Sequence, residues 1–300
     1  MIQRAPLPLP RQRGFTLVEA IIVMVITGVL AGIMVLFIRQ PVQNYVDAAG
    51  RAEMADVADL ALRRMARELR GALPNSLRVI GSASGGSAVT LIEFIPTKTG
   101  GTYLSVEDNN GTPVLDFQNT ANKTFTVTGT MPVFPYNIAA NDYIVVYNLG
   151  TGFTDADAYA GNNRAQVSGA PVGNVVTIAA NPFAVPANAI PARVPNTSPT
   201  QRFNVVGTPV TFRCVNSAAG TGTLTRLSTY GYSASQIDPA AAAGVTSALL
   251  ANNVVGCNFN VTSLANTHLG LIGLDLALAR PGSSSERVML SHQIHVENTP

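Results

Sequence analysis

The chain has 300 residues, of which 47% are hydrophobic and 12% charged, with no Trp, 26 Gly and 19 Pro. So few charges and so much apolar surface exclude an intrinsically disordered chain. A formal net charge of +2, from 19 basic and 17 acidic residues, gives no electrostatic footprint for a nucleic-acid surface, and no nucleic-acid partner is predicted. Three of the positive charges, Arg4, Arg11 and Arg13, precede the first apolar run, so the rest of the chain carries 16 − 17 = −1.

Residues 1–14 form a short stretch with Pro6, Pro8 and Pro10 that ends in Arg13-Gly14, and residues 15–38 are almost unbroken hydrocarbon. A helix over that run reaches roughly 36 Å at 1.5 Å per residue, enough to cross a hydrocarbon core of about 30 Å. Basic residues before the span predict a cytoplasmic N-terminus and place the remainder on the outer side of an inner membrane. A secretory signal has a shorter apolar region followed by its cleavage site, whereas here the candidate processing point comes first.

Gly14-Phe15-Thr16-Leu17-Val18-Glu19 resembles the prepilin peptidase signature of type IV pilins and pseudopilins. The resemblance implies cleavage between Gly14 and Phe15, N-methylation of the new Phe15 amine by the same peptidase/methyltransferase, and retention of the helix in the mature protein. A carboxylate on a membrane helix costs on the order of 2.5 to 3.5 kcal/mol at mid-bilayer, so Glu19 needs a partner or a place near the headgroups. The resemblance implies the partner: the Phe15 amine of a neighbouring subunit during assembly. The plainer alternative is a Glu19 that snorkels to the interface of a single-pass anchor. Gly28 and Gly32 are a small-xxx-small pair for close helix packing, or simple glycine enrichment of a membrane helix. Pro41 is expected to kink the helix past the span.

Residues 39–73 continue as an amphipathic helix, with Met54, Val57, Ala58, Ala61, Met65, Leu69 and Leu73 at spacings of three and four. Asp47 with Arg51 and Asp59 with Arg63 form acid-before-base pairs at i, i+4. Arg63, Arg64, Arg67 and Arg70 crowd the last turns, where cations suit the helix dipole. Pro74-Asn75 ends the helix.

Residues 74–300 read as an antiparallel β domain outside the membrane, of short β-branched and aromatic runs between Gly, Asn and Pro. Strands are predicted at 89–95, 124–128, 143–148, 174–178, 203–206, 210–215, 224–227, 257–261, 271–278 and 288–296. Residues 203–215 read as a hairpin turning at Gly207-Thr208-Pro209, and 247–252 as a brief helical or irregular approach to the next strand. Residues 148–173 and 182–200 read as mobile surface loops. The alternating Leu274, Leu276 and Leu278 predict a sheet face that packs on the helix stripe. The overall class is therefore α+β: a long N-terminal membrane-spanning helix packed on an antiparallel β domain, the type IV pilin-like arrangement.

The two cysteines, Cys214 and Cys257, are expected to form a disulfide in an oxidising compartment, with two buried free thiols as the alternative. Residues 60–70, 72–76, 145–150, 209–214 and 292–298 together resemble the MshO family of minor pilin-like proteins of the mannose-sensitive haemagglutinin (MSHA) type IV pilus system. Residues 249–261 and the strands after them are similar to J-type minor pseudopilins of type II secretion. These resemblances imply as partners other major and minor pilins, an inner-membrane assembly platform and the lipid bilayer, and no cofactor. A ligand- or DNA-binding tip adhesin is the alternative from another class.

His292 and His295, three apart on a strand, point to opposite faces and cannot share a metal, and His268 has no evident partner. Asp155-Ala156-Asp157 before Gly161-Asn162-Asn163 is oxygen-rich, but it lacks the register and closing Glu of an EF-hand and reads as a polar turn. No Gly-x-Ser-x-Gly elbow, P-loop, His-Glu-x-x-His or Cys-x-x-Cys pair is present, so no catalytic residues and no metal site are predicted.

Overall fold

The computed structural model describes residues 14–81, 89–108, 111–189, 194–262, 269–280 and 283–299. His268 and the leader arginines Arg4, Arg11 and Arg13 lie outside them. The class is α+β and pilin-like, a long apolar N-terminal helix followed by antiparallel, curled sheets. The helix, α1, spans Leu17–Arg70 and runs through Pro41 without interruption. The chain divides into two compact units, Met1–Ala52 and Glu53–Pro300.

In the second unit, thirteen described strands build two sheets. The strands are β1 (Arg78–Ile80), β2 (Val89–Phe94), β3 (Thr97–Tyr103), β4 (Thr124–Thr128), β5 (Tyr143–Val145), β6 (Arg164–Gln166), β7 (Val175–Thr177), β8 (Arg202–Val206), β9 (Val210–Val215), β10 (Gly222–Ser228), β11 (Thr246–Thr262), β12 (Leu269–Arg280) and β13 (Ser283–Glu297). The larger sheet has the order β1-β2-β9-β10-β11-β12-β13. The predicted stripe packs on it: Met54, Ala58, Ala61, Met65 and Leu69 share one core with Ile92, Phe212, Leu224, Leu274, Leu276 and Leu278. Both sets are apolar at their own element's period, 3.6 for the helix and 2 for the strands, which is why the two faces meet.

The other sheet has the order β6-β5-β8-β3-β4-β7 and closes on itself. Beyond the ends of β6 and β7, Val167 and Ile178 form an antiparallel bridge. Ser168 N donates to Thr177 O at 2.9 Å and Ala179 N to Gln166 O at 2.8 Å. Closure satisfies both edges, and the interior of the small barrel is filled by side chains, among them Tyr103, Leu115, Phe125, Ile144, Val176, Phe203 and Val205. Phe125 and Phe203 meet edge-on at 5.5 Å.

All six barrel strands lie in sequence between β2 and β9, which pair with each other in the larger sheet, Phe94 against Val210. The barrel is therefore an insertion into a two-stranded ribbon: β2 runs on into β3, and β8 returns into β9. Thr97 pairs with Val206, and Gly207 N donates to Pro96 O at 3.1 Å. This corrects the predicted hairpin over 203–215. Pro96 and Pro209 have no N–H for a ladder, so the ribbon turns from one sheet to the other there, and β8 and β9 do not fold onto each other.

Residues 247–252 are not an irregular approach but the first part of β11, paired with β10. Register shifts in that pairing, and Asn253 at φ 56°, break the alternation by which a strand is recognised. β3, of sequence Thr-Lys-Thr-Gly-Gly-Thr-Tyr, was not predicted because it reads as a turn. A Cβ on Gly101 would lie 2.8 Å from Cζ of Phe203, so this glycine makes room for a ring. Two expected surface loops are partly structure. Residues 148–173 contain β6, and in 182–200 Phe183, Ala184 and Val185 are buried, with Val185 N donating to Phe117 O at 2.9 Å.

The barrel is clamped to the larger sheet by a buried aromatic and cationic junction. Arg78 of β1 pairs with Glu93 of β2 at 2.6 Å, and its guanidinium lies 3.5 Å over the Tyr159 ring. Arg164 of β6 lies 3.3 Å over Tyr232, whose hydroxyl donates to Gly207 O at 2.6 Å. Tyr230 hydrogen-bonds Glu93 at 3.1 Å and Thr211 of β9. Burial pushes the hydroxyls of Tyr159, Tyr230 and Tyr232 well above the ordinary tyrosine range.

Candidate functional site: the N-terminal helix start

Gly14, Phe15 and Thr16 precede the helix in non-helical conformation, and Leu17 begins it. The boundary is set by a cap. Thr16 Oγ1 accepts from Glu19 N at 3.3 Å, while Thr16 O accepts the first helical bond, from Ala20 N at 3.1 Å. Thr16 is thus the N-cap and Glu19 stands at the third helical position, the Thr-x-x-Glu pattern of a capping box. In the sequence both residues stood out only as part of the processing signature, although the i, i+3 spacing is a readable signal of the cap. The consequence is geometric: the Gly14–Phe15 bond lies just outside the first turn, in non-helical chain. Glu19 lies in that turn, where the helix dipole favours a negative charge.

From there the helix surface is hydrocarbon and exposed, including Leu17, Ile21, Met24, Val25, Val29, Ile33 and Met34, and Phe15 ahead of the helix is exposed too. By length and composition, α1 is long and apolar enough to cross a membrane. Its one early hydroxyl is satisfied internally, Thr27 Oγ1 donating to Val23 O at 2.6 Å, so it adds no orphan donor. A Cβ built on Gly28 or Gly32 meets nothing within 4 Å, which leaves a shallow notch on the helix where another helix can approach closely.

In the second unit, the structure joins Cys214 of β9 to Cys257 of β11 in a disulfide, with 6.4 Å between their Cα atoms. Strand β10 lies between β9 and β11 in sheet order, so the bridge requires the two outer strands to converge at its end. They do so at Gly222, where a Cβ would clash with the carbonyl oxygens of both Val215 and Val254. Asn216 supports the same place by accepting from Cys257 N at 2.9 Å. No local pattern in the sequence signals this requirement for glycine.

The other singled-out residues take structural places. Asp59 pairs with Arg63 at 2.6 Å and lies 3.6 Å from His292, while His295 is exposed on the opposite face. Glu68 pairs with Arg64 at 3.3 Å and Arg226 of β10 at 2.7 Å, drawing part of the arginine cluster onto the sheet. Asp157 is buried and accepts from the backbone N–H groups of Gly152, Tyr159 and Ala160, closing a polar turn. Among the described residues, no group of three His, Cys, Asp or Glu is placed to hold a metal.

Residues 9–35 match the prokaryotic N-terminal methylation motif. That stretch contains Gly14, Phe15, Glu19, Gly28 and Gly32. The match supports a type IV pilin-like protein whose prepilin signal is processed by prepilin peptidase. No curated protein and no solved structure matches the chain.

Proposed function

We propose that this chain is a minor pilin or pseudopilin that enters, primes or caps an MSHA-like type IV pilus, in the manner of the MshO family its sequence blocks resemble. The observation that carries the reading is the N-terminal constellation itself: a methylation motif whose Gly14-Phe15 bond lies ahead of the helix, whose Thr16-capped helix sets Glu19 in its first turn, and whose apolar span is exposed. Prepilin peptidase cleaves between Gly14 and Phe15 on the cytoplasmic side and methylates Phe15. The helix is held in the inner membrane as a single-pass anchor, with the β domain in the periplasm. As the subunit joins the filament through the assembly platform, neighbouring pilin helices replace lipid around residues 15–38. Glu19 pairs with the Phe15 amine of an adjacent subunit, largely protonated near neutrality with a reference pKa of about 7.7 to 8.0. Gly28 and Gly32 give the close approach. The protein works by assembly and not by catalysis.

A J-type role in type II secretion is the second reading, favoured by the long β11-β12-β13 meander that occupies the region similar to those pseudopilins. Two substitutions test the assembly mechanism. Glu19→Ala should be cleaved normally yet drop out of sheared filament fractions, whereas Gly14→Val should leave the leader uncut. Normal incorporation of Glu19→Ala would show the charge pair to be dispensable.

A further inference from the structure

The barrel insertion carries a cleft at the mouth where β3 ends and β8 begins. β3 departs from the junction at Thr97 and ends at Tyr103, and β8 begins at Arg202 and returns to the junction at Val206. Seven residues of β3, at about 3.3 Å each, put this mouth on the order of 20 Å from the junction. The mouth is not sealed. A cleft of about 620 Å³ opens there, floored by Tyr103, Leu115 and Phe117, with Val106 and Pro199 at its sides. That volume falls in the range of ligand sites, which recur at barrel mouths.

Its exposed rim carries Glu107, Gln118, Asn119 and Thr197, with Asp116 and Gln201 half-buried beside them, and no Lys, Arg or His lines it among the described residues. The walls are fixed before any ligand arrives. Asp108 accepts from Ser105 Oγ and from Gln201 Nε2, both at 2.9 Å, tying opposite sides together. Asp116 Oδ1 accepts from Gln118 N at 2.8 Å and Asn119 N at 3.0 Å, and Asn181 donates to the carbonyls of Asp116 and Asn119 from behind.

We propose that this cleft is a binding site for a basic peptide segment, taking a Lys or Arg side chain with its methylene stem on the apolar floor and its cationic head between Glu107 and Asp116. The lining repels an anion, and a long aliphatic stem ending in a charge matches an apolar floor under an acidic rim better than a uniformly polar ligand does. The cleft is complete within the barrel, so binding there can be measured on the isolated chain.

The test uses full-length protein in detergent, titrated by calorimetry with acetyl-Ala-Lys-Ala-amide and acetyl-Ala-Arg-Ala-amide, with acetyl-Ala-Glu-Ala-amide and maltotriose as comparisons. The cationic peptides should bind, more weakly as salt is raised. A Glu107→Gln/Asp116→Asn variant should lose affinity by about tenfold or more. Asn at 116 keeps an acceptor for the two backbone N–H groups. Glu107→Gln alone, on an exposed rim residue, should show a partial loss with the fold intact by circular dichroism. Failure of the cationic peptides to bind, unchanged affinity in these variants, or preferential binding of the acidic peptide or maltotriose would each overturn the proposal.

Discussion

Two single residues control more geometry than their size suggests. Gly222 sits where β9 and β11 converge, and any Cβ there would strike the backbone on both sides. Gly222→Ala must push the strands apart and move Cys214 away from Cys257. It is expected to destabilise the domain by about 1 to 3 kcal/mol, the scale of overpacking, seen as a lowered thermal midpoint. It should also slow oxidation of the two thiols during refolding. Thr16 is the second. Its side chain fixes where the helix begins, so Thr16→Ala should weaken the first turn by about 1 kcal/mol, and Thr16→Ser should restore it. Amide exchange at Glu19 in micelles would measure the difference. The backbone N–H of Glu19 completes the cap, and its carboxylate is the group that the proposed assembly uses.

At the scale of elements, what the sequence disclosed depended on whether a segment obeyed one period. The helix stripe as far as Leu69 and strands such as 124–128 and 210–215 kept a clean period and appear where predicted, whereas Leu73, expected as the last residue of the stripe, lies past the helix end at Arg70 and packs in a separate core. β3 and the first part of β11 did not, because glycines that accommodate a ring and bulges that shift register erase alternation. The insertion topology was also hidden, since adjacent strands usually pair and only the positions of Pro96 and Pro209 hint that these do not. The cysteine pair could be named from sequence, but not the glycine that permits it. Closing a loop of 43 residues of sequence separation contributes roughly 4 kcal/mol in the chain-entropy model. Reduction, or a Cys214→Ser/Cys257→Ser double change, should therefore lower the thermal midpoint of the β domain markedly.

The junction between barrel and sheet ties stability to pH. Tyr159, Tyr230 and Tyr232 have pKa values raised by burial, so they stay protonated in the folded state where unfolded tyrosines, at about 10, begin to ionise. Their contribution to stability is complete below about pH 10 and declines as pH rises above it. Thermal midpoints measured between neutrality and strong alkali should fall beyond that point, and less so in Tyr230→Phe, which removes one titrating hydroxyl.

At the scale of the whole molecule, the Glu53–Pro300 unit separates two tasks. A helix stripe and one sheet make the pilin-like body, and a closed barrel inserted between β2 and β9 adds a second core with its own mouth. Because Phe94 and Val210 are already paired, replacing 97–206 by a short turn should leave the body folded, with its disulfide formed and a single cooperative melt. Loss of cooperativity would show that the barrel is integral to the body. The N-terminal machinery lies outside that insertion, so processing should be indifferent to it.

In the proposed route from membrane to filament, every step begins with the state of Phe15. Intact-mass and peptide mass spectrometry of protein expressed in cells that contain prepilin peptidase should find a chain beginning at N-methylated Phe15, with residues 1–14 removed. A chain retaining Met1 and the leader in such cells would contradict assembly as a pilin.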